Sequence, residues 1–281
     1  MALPITPSLV EDAAAGLAGD GWRYTQRQLY YATCARAETP RSNAAANGEI
    51  GFGVLLLLIG LILIGIKVLF ALFVTLGLAL ILAGILARSR KPPIRTRLLA
   101  LSFDEFRSGF GGLPLPGLID PDAGRAGVAV TAPDTIVICD TDETALMVAA
   151  NLERAAIAGA VLATAHASIT PQPGANVVAL HDASPRGCAM VLDLRDAGIA
   201  VEDAGLRPSD VDSPDHQVIE GAPARLPRDL SALLGTAEVD WLLSGRRVEL
   251  ATLSPEQAMS HVVAAISRLR PLRGDAPQPA R

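Results

Sequence analysis

Two short acidic stretches stand out by residue type and spacing. One is Asp140 with Asp142 and Glu143, directly after the apolar run Thr135–Cys139. The other is His181-Asp182-Ala183-Ser184-Pro185-Arg186-Gly187, directly after the apolar run 177–180. Carboxylates gathered at one edge suit Mg²⁺, which takes oxygen ligands and keeps several waters. The same spacing suits helix capping, because Asp, Ser and Thr accept hydrogen bonds from the first free backbone N–H groups of a helix. Spacing alone leaves both readings open, with capping the commoner use of such residues.

Other chemistries find less support. The chain has no P-loop, and His166, His181, His216 and His261 lack a GxSxG serine or an HExxH partner. Of these histidines only His181, beside Asp182, is placed for a site. Cys34, Cys139 and Cys188 are far apart and lack the CxxC spacing of a zinc site. They read as buried free thiols, which fit a reducing compartment. A response-regulator receiver also places acids after its first and third strands, but it needs a late lysine, and no Lys follows Lys91. Arg273-Gly274-Asp275, in a Pro-rich tail, reads as a chance occurrence of an adhesion motif.

For the acids to converge, parallel strands must carry them. Thr135–Cys139 is continuously apolar, as a strand buried on both faces should be. A helix is expected over 141–158, with Asp142 and Glu143 favourable to its dipole and Gly159 ending it. Further strands are expected over 160–163, 177–180 and 199–202, with loop over 165–176. Pro185 suits the first turn of a helix over 185–197. Strands alternating with helices predict a parallel sheet. Such sheets place their sites beyond the carboxyl ends of strands, where Asp140 and Asp182 fall. The α/β domain is expected over 135–270.

The remaining segments frame this domain. In 1–50, a helix is expected over 8–19 with Ser8 as its cap, and a second from Thr25, where Thr25 and Gln28 have capping-box spacing. Two short helices bury little core alone, so they must pack on something else. Residues 37–50 read as linker. Between 51 and 87 the only charge is Lys67. That run exceeds the roughly 20 apolar residues of a membrane-spanning helix. A straight helix over 51–87 would be about 55 Å long, against about 30 Å of hydrocarbon. A transmembrane hairpin with arms at 51–66 and 69–87 and Lys67 at the turn fits better, and one steeply tilted helix is the alternative. Gly53, Gly60, Gly77 and Gly84 would let the two arms approach closely. Arg88, Arg90, Lys91, Arg95 and Arg97 form a basic juxtamembrane cluster within 88–134 and predict cytoplasmic termini. The expectation is an integral two-pass protein with membrane lipids as partners. An amphipathic helix is expected over 98–110 with Leu99, Phe103, Phe106 and Phe110 on one face, then loop over 111–133. Residues 271–281 read as a disordered tail.

Four motifs, taken together and in order, resemble a known family. His181-Asp182-Ala183-Ser184-Pro185-Arg186-Gly187 resembles the DxDPxG motif of the Toprim domain, in the version found in the A subunit of topoisomerase VI and its relative, the meiotic double-strand-break protein. Gly205-Leu206-Arg207-Pro208-Ser209-Asp210 resembles the GLRPSD segment that follows there. Gly245-Arg246-Arg247-Val248-Glu249-Leu250 resembles the basic-Glu-Ile segment near the end. Thr25-Gln26-Arg27-Gln28-Leu29-Tyr30-Tyr31 resembles the T-x-R-x-[IL]-Y-Y helix of the family's winged-helix domain. The resemblance covers about 25–50 and 135–260. It implies a Toprim-like α/β domain, a partial winged helix at the N-terminus, and the apolar segment inserted between them. It also implies Tyr31 as the DNA-attacking tyrosine and Asp140 in the place of the family's proton-handling Glu. Mg²⁺ is implied as cofactor, with Asp140, Asp182, Asp142 and Ser184 as the candidate metal set. Arg186, Gly187, Arg207, Asp210 and Glu249 are further matching positions. In the family the tyrosine and the metal site come from different subunits, which implies a homodimer. Two departures matter: Asp140 is shorter than Glu, and Ser184 replaces the second Asp of DxD.

Charge weighs against nucleic acid as a partner. The chain carries a net −5 and its only lysines are Lys67 and Lys91. A duplex-binding groove needs many phosphate contacts. The expectation is therefore a Toprim-like module that binds a metal or a phosphate-bearing ligand without cleaving DNA. The alternative is a Mg²⁺-dependent nucleic-acid-cleaving or topoisomerase-like enzyme using Tyr31.

Overall fold

The computed structural model of the chain describes residues 5–38, 52, 54–56, 59, 67–89, 95–96, 101–120, 133–157, 159–165, 174–211 and 216–269. The chain forms two compact units, Met1–Glu38 with Ile94–Arg281, and Thr39–Pro93. Its helices are α1 (Pro7–Leu17), α2 (Gln26–Glu38), α3 (Lys67–Ser89), α4 (Phe103–Phe110), α5 (Asp142–Asn151), α6 (Pro185–Asp196), α7 (Pro208–Val211), α8 (Thr236–Leu243) and α9 (Pro255–Leu269). Its strands are β1 (Arg95–Thr96), β2 (Thr135–Cys139), β3 (Val161–Ala165), β4 (Asn176–Leu180), β5 (Val201–Asp203), β6 (Val218–Glu220) and β7 (Arg246–Arg247). Helix α3 lies in the second unit.

The sheet β3-β2-β4-β5 is parallel throughout, as the alternation of strands and helices predicts. Its register brings the acids to one edge: Cys139 pairs with Leu180, and Ala179 with Asp203. Every residue of β2 is buried, because the sheet is covered on both faces. Val137, Cys139, Val178 and Leu180 share a core with Val148 of α5 and Met259 and Val262 of α9. Their neighbours Ile136, Ile138, Val177 and Ala179 point the other way, to Met190, Val191 and Leu194 of α6. A smaller sheet joins β1 to β6 in parallel and β6 to β7 antiparallel.

The N-terminal helices find their missing partner in α4. Val10, Leu17, Tyr24, Leu29 and Tyr30 form a separate core with Phe106. Thr6 caps α1, accepting from the Leu9 N–H at 3.3 Å, so the helix starts one residue earlier than its expected cap Ser8 would allow. The expected capping box of α2 is present: Thr25 N–H donates to Gln28 Oε1 at 3.0 Å, and Gln28 N–H to Thr25 Oγ1 at 3.2 Å. The helix expected over 98–110 begins at Phe103, because Ser102 and Glu105 form a capping box there. Trp22 packs on the main core, with the Arg154 guanidinium 5.7 Å from its ring centroid. Helix α5 stops at Asn151 rather than 158, where Asn151 turns its side chain to other work. The expected linker beyond 38, Arg90, Lys91, Arg97, Leu99, His166, the tail 271–281 and Arg273-Gly274-Asp275 within it lie outside the described residues.

The apolar unit requires a correction. Its second expected arm is a helix, α3, but Lys67 is the first residue of that helix. Among the described residues no helix is long and apolar enough to cross a membrane. A crossing needs about 20 consecutive apolar residues, so the expected transmembrane hairpin and the two-pass localisation do not hold. Leu76, Leu78 and Leu82 of α3 are exposed.

Candidate functional site

The site is assembled from strand ends. Asp140 follows β2, and its Oδ2 accepts from the Asp182 N–H at 2.8 Å. Asp182 follows β4, and its Oδ1 accepts from the Leu250 N–H at 2.6 Å. An isolated antiparallel bridge fixes the segment that carries Leu250: Ala183 N–H donates to Val248 C=O at 2.9 Å, and Val248 N–H to Ala183 C=O at 3.1 Å. Asp140, Asp182 and Glu249 are thereby drawn together from three distant stretches of chain.

Capping and carboxylate chemistry prove to be divided between residue types. Thr141 Oγ1 caps α5, accepting from Thr144 N–H at 3.1 Å. Ser184 Oγ caps α6, accepting from Gly187 N–H at 3.0 Å. The hydroxyls do the capping, which leaves Asp140 and Asp182 out of it. Gly187 is required by close approach: a Cβ there would lie 2.4 Å from the Asp182 carbonyl oxygen. Asp142 is exposed in the first turn of α5, and Arg186 is exposed in that of α6. Asp210 is exposed, with Ser209 Oγ 3.4 Å from its Oδ1.

Burial sets the electrostatics. Asp140 and Asp182 both have raised pKa values, first because burial disfavours their charge. For Asp182 the charge of Asp140 adds to the rise. Asp140 Oδ1 is buried and has no hydrogen-bond partner among the described residues. Behind the pair, His181 is fully buried, with Nδ1 2.8 Å from the Asp182 carbonyl oxygen and Nε2 3.1 Å from Asp203 Oδ1. Arg207 Nη2 donates to Asp203 Oδ2 at 2.8 Å. Burial works against the charge on Asp203, but its bonds to His181 and Arg207 prevail and hold its pKa below the usual range. Gly205 packs so closely on His181 that a Cβ would lie 2.3 Å from the ring.

Helix α2 closes the site from the N-terminal side. A cleft of about 230 Å³ lies between its start and the strand ends, lined by Arg27, Gln28, Thr141, Glu143, Asp182 and Glu249 among others. Glu143 caps α2 from outside, accepting from the Arg27 N–H at 2.9 Å. The Arg27 side chain reaches Glu143 Oε2 through Nε and Glu249 Oε2 through Nη1, each at 3.3 Å. Arg247 Nε is 3.3 Å from Glu249 Oε1. Gln28 Nε2 donates to the Leu253 carbonyl at 3.1 Å. Asn151 grips the chain ahead of α2: its Oδ1 accepts from Arg23 N–H at 2.9 Å and its Nδ2 donates to Arg23 C=O at 2.7 Å. Tyr31 is only 5 % exposed, and its phenol lies within the electrostatic influence of Glu249 of the same chain. Burial, then the Glu249 charge, push its pKa up.

Spacing did not reveal the pairing of Arg27 with Glu143, of Asn151 with Arg23 or of Asp203 with His181. Asp203 could have been found, because it ends the fourth strand of the sheet as Asp140 and Asp182 follow theirs. Among the described residues no group of three or more His, Cys, Asp or Glu side chains could hold a metal ion as they are arranged. A smaller donor set is present: Asp182, which lines the cleft, and Asp140, whose Oδ1 is buried without a partner among the described residues. That is the usual protein share of a Mg²⁺ shell. Comparisons with family models, curated proteins and solved structures gave no match.

Proposed function

We propose that the chain is a Toprim-like binding module whose cleft takes a divalent cation, Mg²⁺ in particular, alone or carrying a phosphate-bearing ligand, without cleaving DNA. The observation that carries this reading is the Asp140–Asp182 pair, with its unpartnered Asp140 Oδ1. An unpaired buried carboxylate oxygen is costly, and a cation removes that cost. Asp140 and Asp182 would hold the ion through oxygen, and the ion would supply positive charge for an anionic ligand. Thr141 and Thr144, which line the same cleft, offer hydroxyls to such a ligand. Arg27 is already committed to Glu143 and Glu249.

Binding is favoured over cleavage because Tyr31 is buried, and that burial and the Glu249 charge favour its neutral form. A tyrosine nucleophile needs its proton removed, and every neighbour named for Tyr31 except Arg27 and Arg247 opposes that. The influence of Glu249 on Tyr31 within one chain is what favours the alternative, since a nearby carboxylate could accept the phenol proton. Titration of the full chain with Mg²⁺ by calorimetry tests the binding reading. Binding that Asp182→Asn removes is expected; absent binding, or binding indifferent to that change, would sink it. Plasmid incubated with Mg²⁺ and the chain should stay intact, and nicking abolished by Tyr31→Phe would establish the cleaving alternative.

A further inference from the structure

The cleft is already occupied by a cation of its own. Arg27 is the positive side chain that lines it, and it spans the two outer acids, Glu143 and Glu249. Both contacts are 3.3 Å, longer than the 2.7–2.9 Å of a strong charge-assisted hydrogen bond. The Arg27 side chain is 39 % exposed, whereas that of Glu249 is 15 % exposed. The guanidinium can therefore move into water at little desolvation cost, while the carboxylate stays in the cleft. In the same position the guanidinium lies over the Phe103 ring, 4.6 Å from its centroid, so it can swing off the acids without losing that contact altogether. Glu249 precedes Leu250, whose N–H holds Asp182, so the acid that Arg27 neutralises is next in chain to the bond that positions the inner pair.

We propose that Arg27 is an autoinhibitory counter-ion, which keeps Glu249 turned away from Asp140 and Asp182 and which a divalent cation must displace. This inference rests on the cation reading of the cleft. It explains why three acids converge without forming a three-acid metal site: the third acid is held by Arg27 and Arg247. Removal of the guanidinium leaves Glu249 with the Arg247 contact alone, which frees its Oε2 to turn towards the inner pair. Coupling is reciprocal, so a bound cation also loosens the grip of Glu249 and Glu143 on the start of α2.

The test is Mg²⁺ calorimetry on the full chain and on Arg27→Gln, with hydrogen exchange on the unaltered chain as a measurement that needs no variant. Arg27→Gln should bind Mg²⁺ about tenfold more tightly, the size expected for one charge-assisted contact. Saturating Mg²⁺ should speed exchange of the Arg27 amide, which Glu143 protects, by several-fold. Mg²⁺ binding to the unaltered chain with equal or weaker binding to Arg27→Gln, or unchanged exchange at Arg27, would overturn the inference and leave the cation reading standing. Binding by neither protein would remove the cation reading and the inference with it. Binding by Arg27→Gln alone would support both.

Discussion

Two buried carboxylates joined by one backbone N–H carry an electrostatic cost that varies with pH. Asp140 and Asp182 have folded-state pKa values raised above the ordinary aspartate range. A raised acid binds its proton more tightly in the folded state, so its contribution is fully present below the unfolded pKa. It is lost as pH rises through the raised folded value. Stability measured without divalent cations should therefore fall from about pH 4 towards neutrality. Asp182→Asn keeps an oxygen for the Leu250 N–H and removes the charge. It should stabilise the apo protein at pH 7 by about 1–3 kcal/mol, read as an upward shift in Tm, and should flatten the pH dependence. A lower Tm for this variant at pH 7 would mean that the pair is held apart by charge rather than burdened by it.

The joints between elements explain what could and could not be seen in the sequence. The parallel sheet was legible because β2 and β4 are short apolar runs followed at once by Asp140 and by His181-Asp182. The α2 capping box was legible because Thr25 and Gln28 are near neighbours. The Asn151–Arg23 clasp was not, because its partners are separated by 128 positions and neither belongs to a motif. Asn151 has no exposed surface, and its amide serves both backbone groups of Arg23 as a strand partner would. Asn151→Ala should cost about 2–4 kcal/mol, since it leaves two backbone groups without partners. Urea unfolding would measure the loss, and faster exchange confined to the segment around Arg23 would locate it. The apolar unit shows the opposite failure. Its composition pointed to a membrane hairpin, but composition does not fix where a helix begins, and Lys67 opens a helix where a turn was expected.

At the scale of the whole molecule, the N-terminal segment and the α/β domain form one compact unit, with Thr39–Pro93 as a separate unit between them in sequence. The contacts that seat α2 are among the longest in sequence that the chain makes. Gln28 reaches Leu253 across 225 positions, and Arg27 reaches Glu249 across 222. The core that α1 and α2 share with Phe106 is available much earlier in the chain, whereas the start of α2 meets its cleft partners only once Glu249 and Leu253 are made. Contacts of such separation form late, because the entropy of closing the intervening loop is lost before they can contribute. Refolding followed by pulsed hydrogen exchange should show protection of β2 and β4 before that of the start of α2. Early protection of α2 would require a nucleus that its own core with Phe106 supplies. The cleft is consequently late to form, and its acids stay exposed until residues 249–253 have joined the start of α2.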